Sequence, residues 1–242
     1  RQHNMEQMLH LSYSDESLEY LKNTVPLLLA RGIAESKHGT EDFFEGEVKE
    51  TPEYRFLNVL VKETEWQLSS SYLEWLTLLF LISNIFEKKT TQEFDSDRRL
   101  KELIREMVTN FEQQTFITIE DRENFERRIL NHLRPACFRI KYNLSLGVYS
   151  LDSLIQDSNH AILSDLMKEL IVPTENWLRR AFPNDELDLL SYYFGFQLSN
   201  QHLSKKQKPR AVVVCTNGVM VSKVIRESLE TVSYTHLRAH ET

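Results

Sequence analysis

Along most of the chain, apolar residues return every three or four positions, the period of a helix that buries one face. Leu18, Leu21, Val25, Leu28 and Leu29 set this period over Ser17–Arg31. Thr51-Pro52-Glu53 is a start signal: a capping hydroxyl, then proline at the first helical position, then an acid near the positive helix end. The helix behind it carries Phe56, Leu57, Leu60 and Val61. Ser70–Phe86 is apolar nearly all round, which predicts a central buried helix. Asp97–Phe111 is amphipathic through Leu100, Leu103, Ile104, Met107 and Val108. Asp121–Tyr142 reads as a long helix, with a disturbance expected at Pro135, which has no amide proton to donate. Leu151–Ile171 reads as another, and Asn184-Asp185-Glu186 caps a last helix through Leu198.

Behind that helix the character changes. Lys205-Lys206-Gln207-Lys208-Pro209-Arg210 is a basic, polar linker. Ala211-Val212-Val213-Val214, bounded by Thr216-Asn217-Gly218, reads as a buried strand and turn, and Ser222–Leu229 as a helix. A strand, loop and helix in that order look like the opening of an α/β domain.

The helical part repeats itself. Asn23–Arg31 aligns without gaps on Asn131–Arg139, with Asn first, an aliphatic third and Arg ninth in both. Glu74-Trp75-Leu76 echoes Glu186-Leu187-Asp188 at a similar offset, each opening an apolar helix that closes a block. The expected organisation is therefore two helical domains, 1–90 and 95–204, then the first part of an α/β domain at 208–231. The fold class is mainly α, with tandem helical bundles.

Composition narrows the classes. At about 150 residues per domain, 242 residues allow one or two complete domains. Lys and Arg number 29 against 36 Asp and Glu, a net charge of −7, which makes this span a poor binder of the nucleic-acid polyanion. With 41% hydrophobic and 27% charged residues, intrinsic disorder is excluded as the default. Six glycines and six prolines are few for this length and favour long helices over tight hairpins. Two cysteines, Cys137 and Cys215, cannot build a disulfide framework, so a reducing, cytoplasmic compartment is expected. The longest apolar run, Leu76–Phe86, is far short of the ~20 residues that span a bilayer. Arg1–His10 has no apolar core of a signal peptide, and the absence of an initial Met reads as a fragment of a longer chain.

Few residues invite chemistry. His132 carries ring nitrogens that, when neutral, can take up a phosphoryl group reversibly. Arg139 lies seven residues on, two turns along the same helix face, and its planar fork suits phosphate oxygens. Cys215 follows the Val run, where a loop before a helix offers free amides and a positive dipole that lower a thiol pKa and cradle phosphate. Against this stands the plainer reading of a small buried residue, and Cys137 reads as core. His236 and His240 share i, i+4 spacing but lack a third ligand nearby, so no metal is expected. No nucleotide loop, Ser/His/Asp set or Cys-x-x-Cys occurs, and no cofactor is implied. Tyr192-Tyr193-Phe194 reads as core packing.

The stretch Asn131-His132-Leu133-Arg134-Pro135-Ala136-Cys137-Phe138-Arg139-Ile140-Lys141-Tyr142 resembles the signature of the PTS regulation domain, or PRD. This all-helical, usually tandem module serves bacterial antiterminators and transcription activators controlled by the sugar phosphotransferase system. Glu186–Leu198, through Tyr193-Phe194-Gly195, resembles its closing helix, and Lys208–Leu229 resembles the opening of a PTS IIB-like domain whose phosphoryl-accepting loop begins with Cys. The order is similar to that of sugar-operon activators of the mannitol-regulator type.

The resemblance implies two acceptor histidines per PRD. In the second repeat His132 fills the first place and Tyr193 the other; in the first repeat Thr24 and Leu81 stand there. His132 is the implied PRD phospho-acceptor, Arg139 its phosphate-orienting partner and Cys215 the acceptor of the IIB-like part, while Thr24, Leu81 and Tyr193 mark degenerate positions. The implied protein accepts phosphoryl groups and is not an enzyme. Its implied partners are the PTS phosphocarrier protein and a sugar-specific IIB component, a second copy in a homodimer, and DNA through a domain upstream of this span. Three rival readings stand beside it: an RNA-binding antiterminator of the same family, a degenerate helical dimerisation scaffold, and a phosphotransfer component acting through Cys215. The last residues, 232–242, resemble translated adapter sequence and are expected to be extraneous.

Overall fold

The computed structural model describes residues 11–34, 46–64, 66–88, 95–144, 159–200, 210–213, 224–225 and 236–239. The chain divides into two compact units, Arg1–Arg99 and Leu100–Thr242.

In the first unit, strand β1 (Leu11–Tyr13) leads into α1 (Asp15–Ala34). A 3-10 turn (Glu47–Glu50) precedes α2 (Pro52–Glu63) and α3 (Ser70–Leu81), and β2 (Ile85–Lys88) follows. The expected start signal is present: Thr51 Oγ1 accepts from the Tyr54 amide at 3.3 Å and donates to the Val48 carbonyl at 2.7 Å. Leu21, Leu57, Val61, Leu73, Leu76 and Phe80 form the core between α1, α2 and α3.

The apolar run from Ser70 does not stay helical to Phe86. It leaves the helix after Leu81 and returns as β2, pairing antiparallel with β1 so that Tyr13 stands opposite Ile85. Tyr13 also packs on Phe80, with ring centroids 6.1 Å apart. A short apolar run carries no period that separates helix from strand, and pairing with β1 decides it. The domain is thus not all-helical as expected.

The second unit contains most of α4 (Asp95–Thr115), whose first turn lies before the division, and α5 (Arg122–Lys141), α6 (Asn159–Leu170), α7 (Val172–Leu178) and α8 (Asn184–Asn200), with α6 packed on α8. Phe194 of α8 meets Phe111 of α4 at 4.8 Å and Phe125 of α5 at 5.0 Å, both edge to face. Between α4 and α5, Phe116 adopts φ 57° and is 94% exposed. Arg122 fastens the two helices. Its guanidinium reaches Glu112 at 2.8 Å, Glu126 at 2.7 Å, the Thr109 hydroxyl at 2.7 Å and the Arg105 carbonyl at 3.1 Å.

Pro135 does not interrupt α5, which runs unbroken through it. Leu133, Ala136 and Cys137 are buried on this stretch, and their packing outweighs one missing backbone bond. The helix expected over Leu151–Ile171 is seen as α6 from Asn159; residues 145–158 lie outside the described ones. Val172-Pro173 then opens α7 with proline in its first turn.

Farther on, β3 (Arg210–Val213) occupies most of the expected strand and pairs in parallel with β4 (His236–Ala239), which comes from the 232–242 stretch. Val224 and Ile225 are helical, inside the expected Ser222–Leu229 helix. Cys215 lies outside the described residues. Among the described residues no helix is long and apolar enough to cross a membrane.

Candidate functional site

His132 and Arg139 both belong to α5, and a seven-residue step returns to nearly the same face of a continuous helix. The structure brings them to one side chain, Glu186, in the first turn of α8. Asn184, Asp185 and Glu186 were expected to cap this helix. They instead lie within its first turn, and the Pro183 carbonyl accepts from the amides of Glu186 and Leu187 at 3.1 and 3.2 Å.

The carboxylate divides its two oxygens. Oε1 accepts from Arg139 Nη2 at 2.9 Å, and Oε2 stands 2.8 Å from His132 Nε2. The approach to the imidazole lacks the alignment of a directed hydrogen bond, so this contact is a close charge–dipole or ion pair rather than a well-made bond. All three groups are largely withdrawn from water, their side chains 8% (His132), 11% (Arg139) and 15% (Glu186) exposed.

Burial alone would push the Glu186 carboxyl up. The close contact with His132 and the charge and hydrogen bond of Arg139 together outweigh it and hold the group down to about 2. The positive end of α8 favours the same charge state. Cys137 shares this environment: burial first, then the Glu186 charge, push its thiol well above its ordinary range, which makes it inert core as expected.

Glu186 as the partner of His132 and Arg139 escaped the sequence reading. It lies 54 residues from His132, and helical periodicity links only residues within one helix. The signal that existed was its position opening the closing helix.

The other singled-out residues are not part of this cluster. Tyr193 is 2% exposed and stacks on Phe125 with centroids 4.9 Å apart. Leu81 is fully buried at the end of α3, and Thr24 lies midway along α1. In the first unit α1 also packs against α3, whose Glu74 aligns with Glu186 in the repeat. Glu74 is buried, accepts from the Ser70 hydroxyl at 3.0 Å and pairs with Lys49 at 3.1 Å. An acid thus occupies the aligned place in both units, with different partners. His236 lies in β4 rather than on a helix, and His240 lies outside the described residues, so their spacing no longer describes one helix face. No group of three or more His, Cys, Asp or Glu able to hold a metal occurs among the described residues.

Residues 105–197 match the PRD domain, a stretch that contains α5, most of α8 and all three side chains of the cluster. No curated protein and no solved structure matches the chain. The second unit therefore carries a PRD domain, which implies regulation through the sugar phosphotransferase system in general.

Proposed function

We propose that this chain is the regulatory part of a bacterial transcription regulator of sugar-utilisation genes, and that PTS-dependent phosphorylation of His132 sets its state. One observation carries the reading: within the PRD-matching stretch, His132 and Arg139 share a helix face and converge on a single buried carboxylate. A nucleophilic ring, a phosphate-binding fork and a charge between them form a place whose electrostatics a phosphoryl group would change.

The phosphoryl donor is the PTS phosphocarrier protein or a sugar-specific IIB component. The chain accepts the group and does not catalyse its transfer onward. The first unit acts as a second, degenerate PRD without an acceptor histidine, and residues from 208 onward as the opening of a IIB-like domain with Cys215 in its loop. Added charge at His132 shifts the population between two packings of a cytoplasmic homodimer. A DNA-binding domain upstream of this span reads the shift.

The test incubates the full chain with phosphoenolpyruvate, the general phosphotransferase enzyme and the phosphocarrier protein. Intact mass and peptide mapping should find an acid-labile phosphoryl group on His132, absent in His132→Ala. A blank that persists with several sugar-specific IIB partners overturns the reading. It would leave a helical dimerisation scaffold, a role favoured by the packing of Tyr193 and Leu81 into the cores.

A further inference from the structure

The geometry points to Glu186 as an internal stand-in for the phosphoryl group, a latch that occupies the acceptor site and must leave when His132 is modified. This rests on His132 being the acceptor, as proposed above, and adds how the site is held closed and what moves when it opens.

A phosphoryl group on Nε2 would crowd Glu186 Oε2, which stands 2.8 Å from that nitrogen. Both cannot fit there. The two groups also present the same face to Arg139: oxygens carrying negative charge, one of them 2.9 Å from Nη2. The phosphoryl group brings more charge and one more oxygen than a carboxylate, so it takes the guanidinium over, and like-charge repulsion expels Glu186. The latch is effective because His132, Arg139 and Glu186 are all largely withdrawn from water, which weakens screening of the pair.

The step itself balances. The Nε2 lone pair attacks phosphorus, the donor's P–N bond (P–S where the donor is a IIB cysteine) breaks with its electrons going to the donor nitrogen or sulfur, and that atom takes up the proton the His132 ring gives up. While Glu186 Oε2 stands 2.8 Å from Nε2, its charge repels the oxygens of an incoming phosphoryl group and its bulk crowds their approach. Glu186 therefore slows the forward step as well as opposing the product.

Glu186 sits in the first turn of α8, and its departure removes the side chain that ties this turn to α5. The readout of phosphorylation is thus a loosening of the α8 N-terminus.

Phosphoramidate, a small phosphoryl donor that needs no partner protein, separates this inference from the proposed function. The full chain, Glu186→Gln and Glu186→Asp are treated with it, and His132 phosphorylation is followed by intact mass and mapping. Glu186→Asp keeps the helix-end charge but draws the carboxylate back by one methylene, and it guards against a misfolded Gln variant. Both variants should phosphorylate faster than the parent, Gln by on the order of tenfold, a barrier difference of about 1.4 kcal/mol. Amide hydrogen exchange over residues 182–190 should rise when the parent is phosphorylated and be raised beforehand in Glu186→Gln. Equal or slower labelling in both variants, or exchange unchanged by phosphorylation, overturns the latch. Labelling by phosphoramidate without labelling by the phosphocarrier protein would overturn the proposed donor and leave the latch standing.

Discussion

His132 and Glu186 face one another across 2.8 Å where α5 meets the start of α8, and Arg139 completes the cluster from the far oxygen of the same carboxylate. The acid sits below its ordinary value of 4.5, at about 2, so it stays ionised where free carboxyls have already taken up protons. Its contribution to stability is full above pH 4.5. It is lost as the pH falls from there towards 2, because the unfolded chain binds the proton first. Thermal melting between pH 7 and pH 2 should show a decline over this window, and Glu186→Gln should flatten it while lowering the midpoint at pH 7.

Two glycines in helices answer differently to a methyl group. A Cβ at Gly32 would stand 2.8 Å from Leu68 Cδ2 and 2.9 Å from the ring of the buried Tyr72, which cannot turn aside. Gly32→Ala should therefore destabilise by about 1–2 kcal/mol, overpacking outweighing the gain in helix propensity. At Gly195 the Cβ meets the Cδ1 end of Leu163 at 2.5 Å, a branch that a rotamer change can move. Gly195→Ala should fall within about 1 kcal/mol of neutral, because the propensity gain offsets the repacking. Urea denaturation of the two variants checks the contrast.

Tyr193 stands at the place where the PRD resemblance expects a histidine. It is 2% exposed and stacked on Phe125. Tyr193→His should restore the residue type without restoring an acceptor, since the ring remains inside the core. The expected result is no second acid-labile phosphate by mass, and a loss of about 2–4 kcal/mol from the smaller, more polar side chain.

Thr51 is buried and serves both the 3-10 turn and α2 through one hydroxyl. Thr51→Ala should cost about 1 kcal/mol, the usual value of a lost N-cap, and Thr51→Ser should recover most of it. Chemical denaturation of the pair measures the difference.

Much of this architecture is legible in the residues. The Thr51-Pro52-Glu53 start is seen as read, and the Asp97–Phe111 and Asp121–Tyr142 periodicities mark α4 and α5 within a few residues. Local signals fix local structure because the groups involved are neighbours in the chain. The failures share the opposite property. The exit of the apolar run after Leu81 depends on pairing with β1, about 70 residues earlier in sequence. The unbroken course of α5 through Pro135 depends on core packing around Leu133 and Cys137, which no local rule weighs. The candidate site was half legible. His132 and Arg139 could be joined by helix periodicity, whereas Glu186 reaches them only through the tertiary approach of α8.

Pro135 has a mechanical consequence. Without its amide proton, the carbonyl of Asn131 loses its donor one turn ahead, immediately before His132. An α-helix resists bending through its ladder of backbone bonds, so α5 behaves as a rod with one compliant joint at the residue that would take the load. Pro26 removes a rung one position earlier in the alignment in α1, opposite Lys22 and two positions from Thr24. The aligned helices of both units thus share a built-in point of bending stiffness lower than their neighbours', and in only one of them does a histidine sit on it.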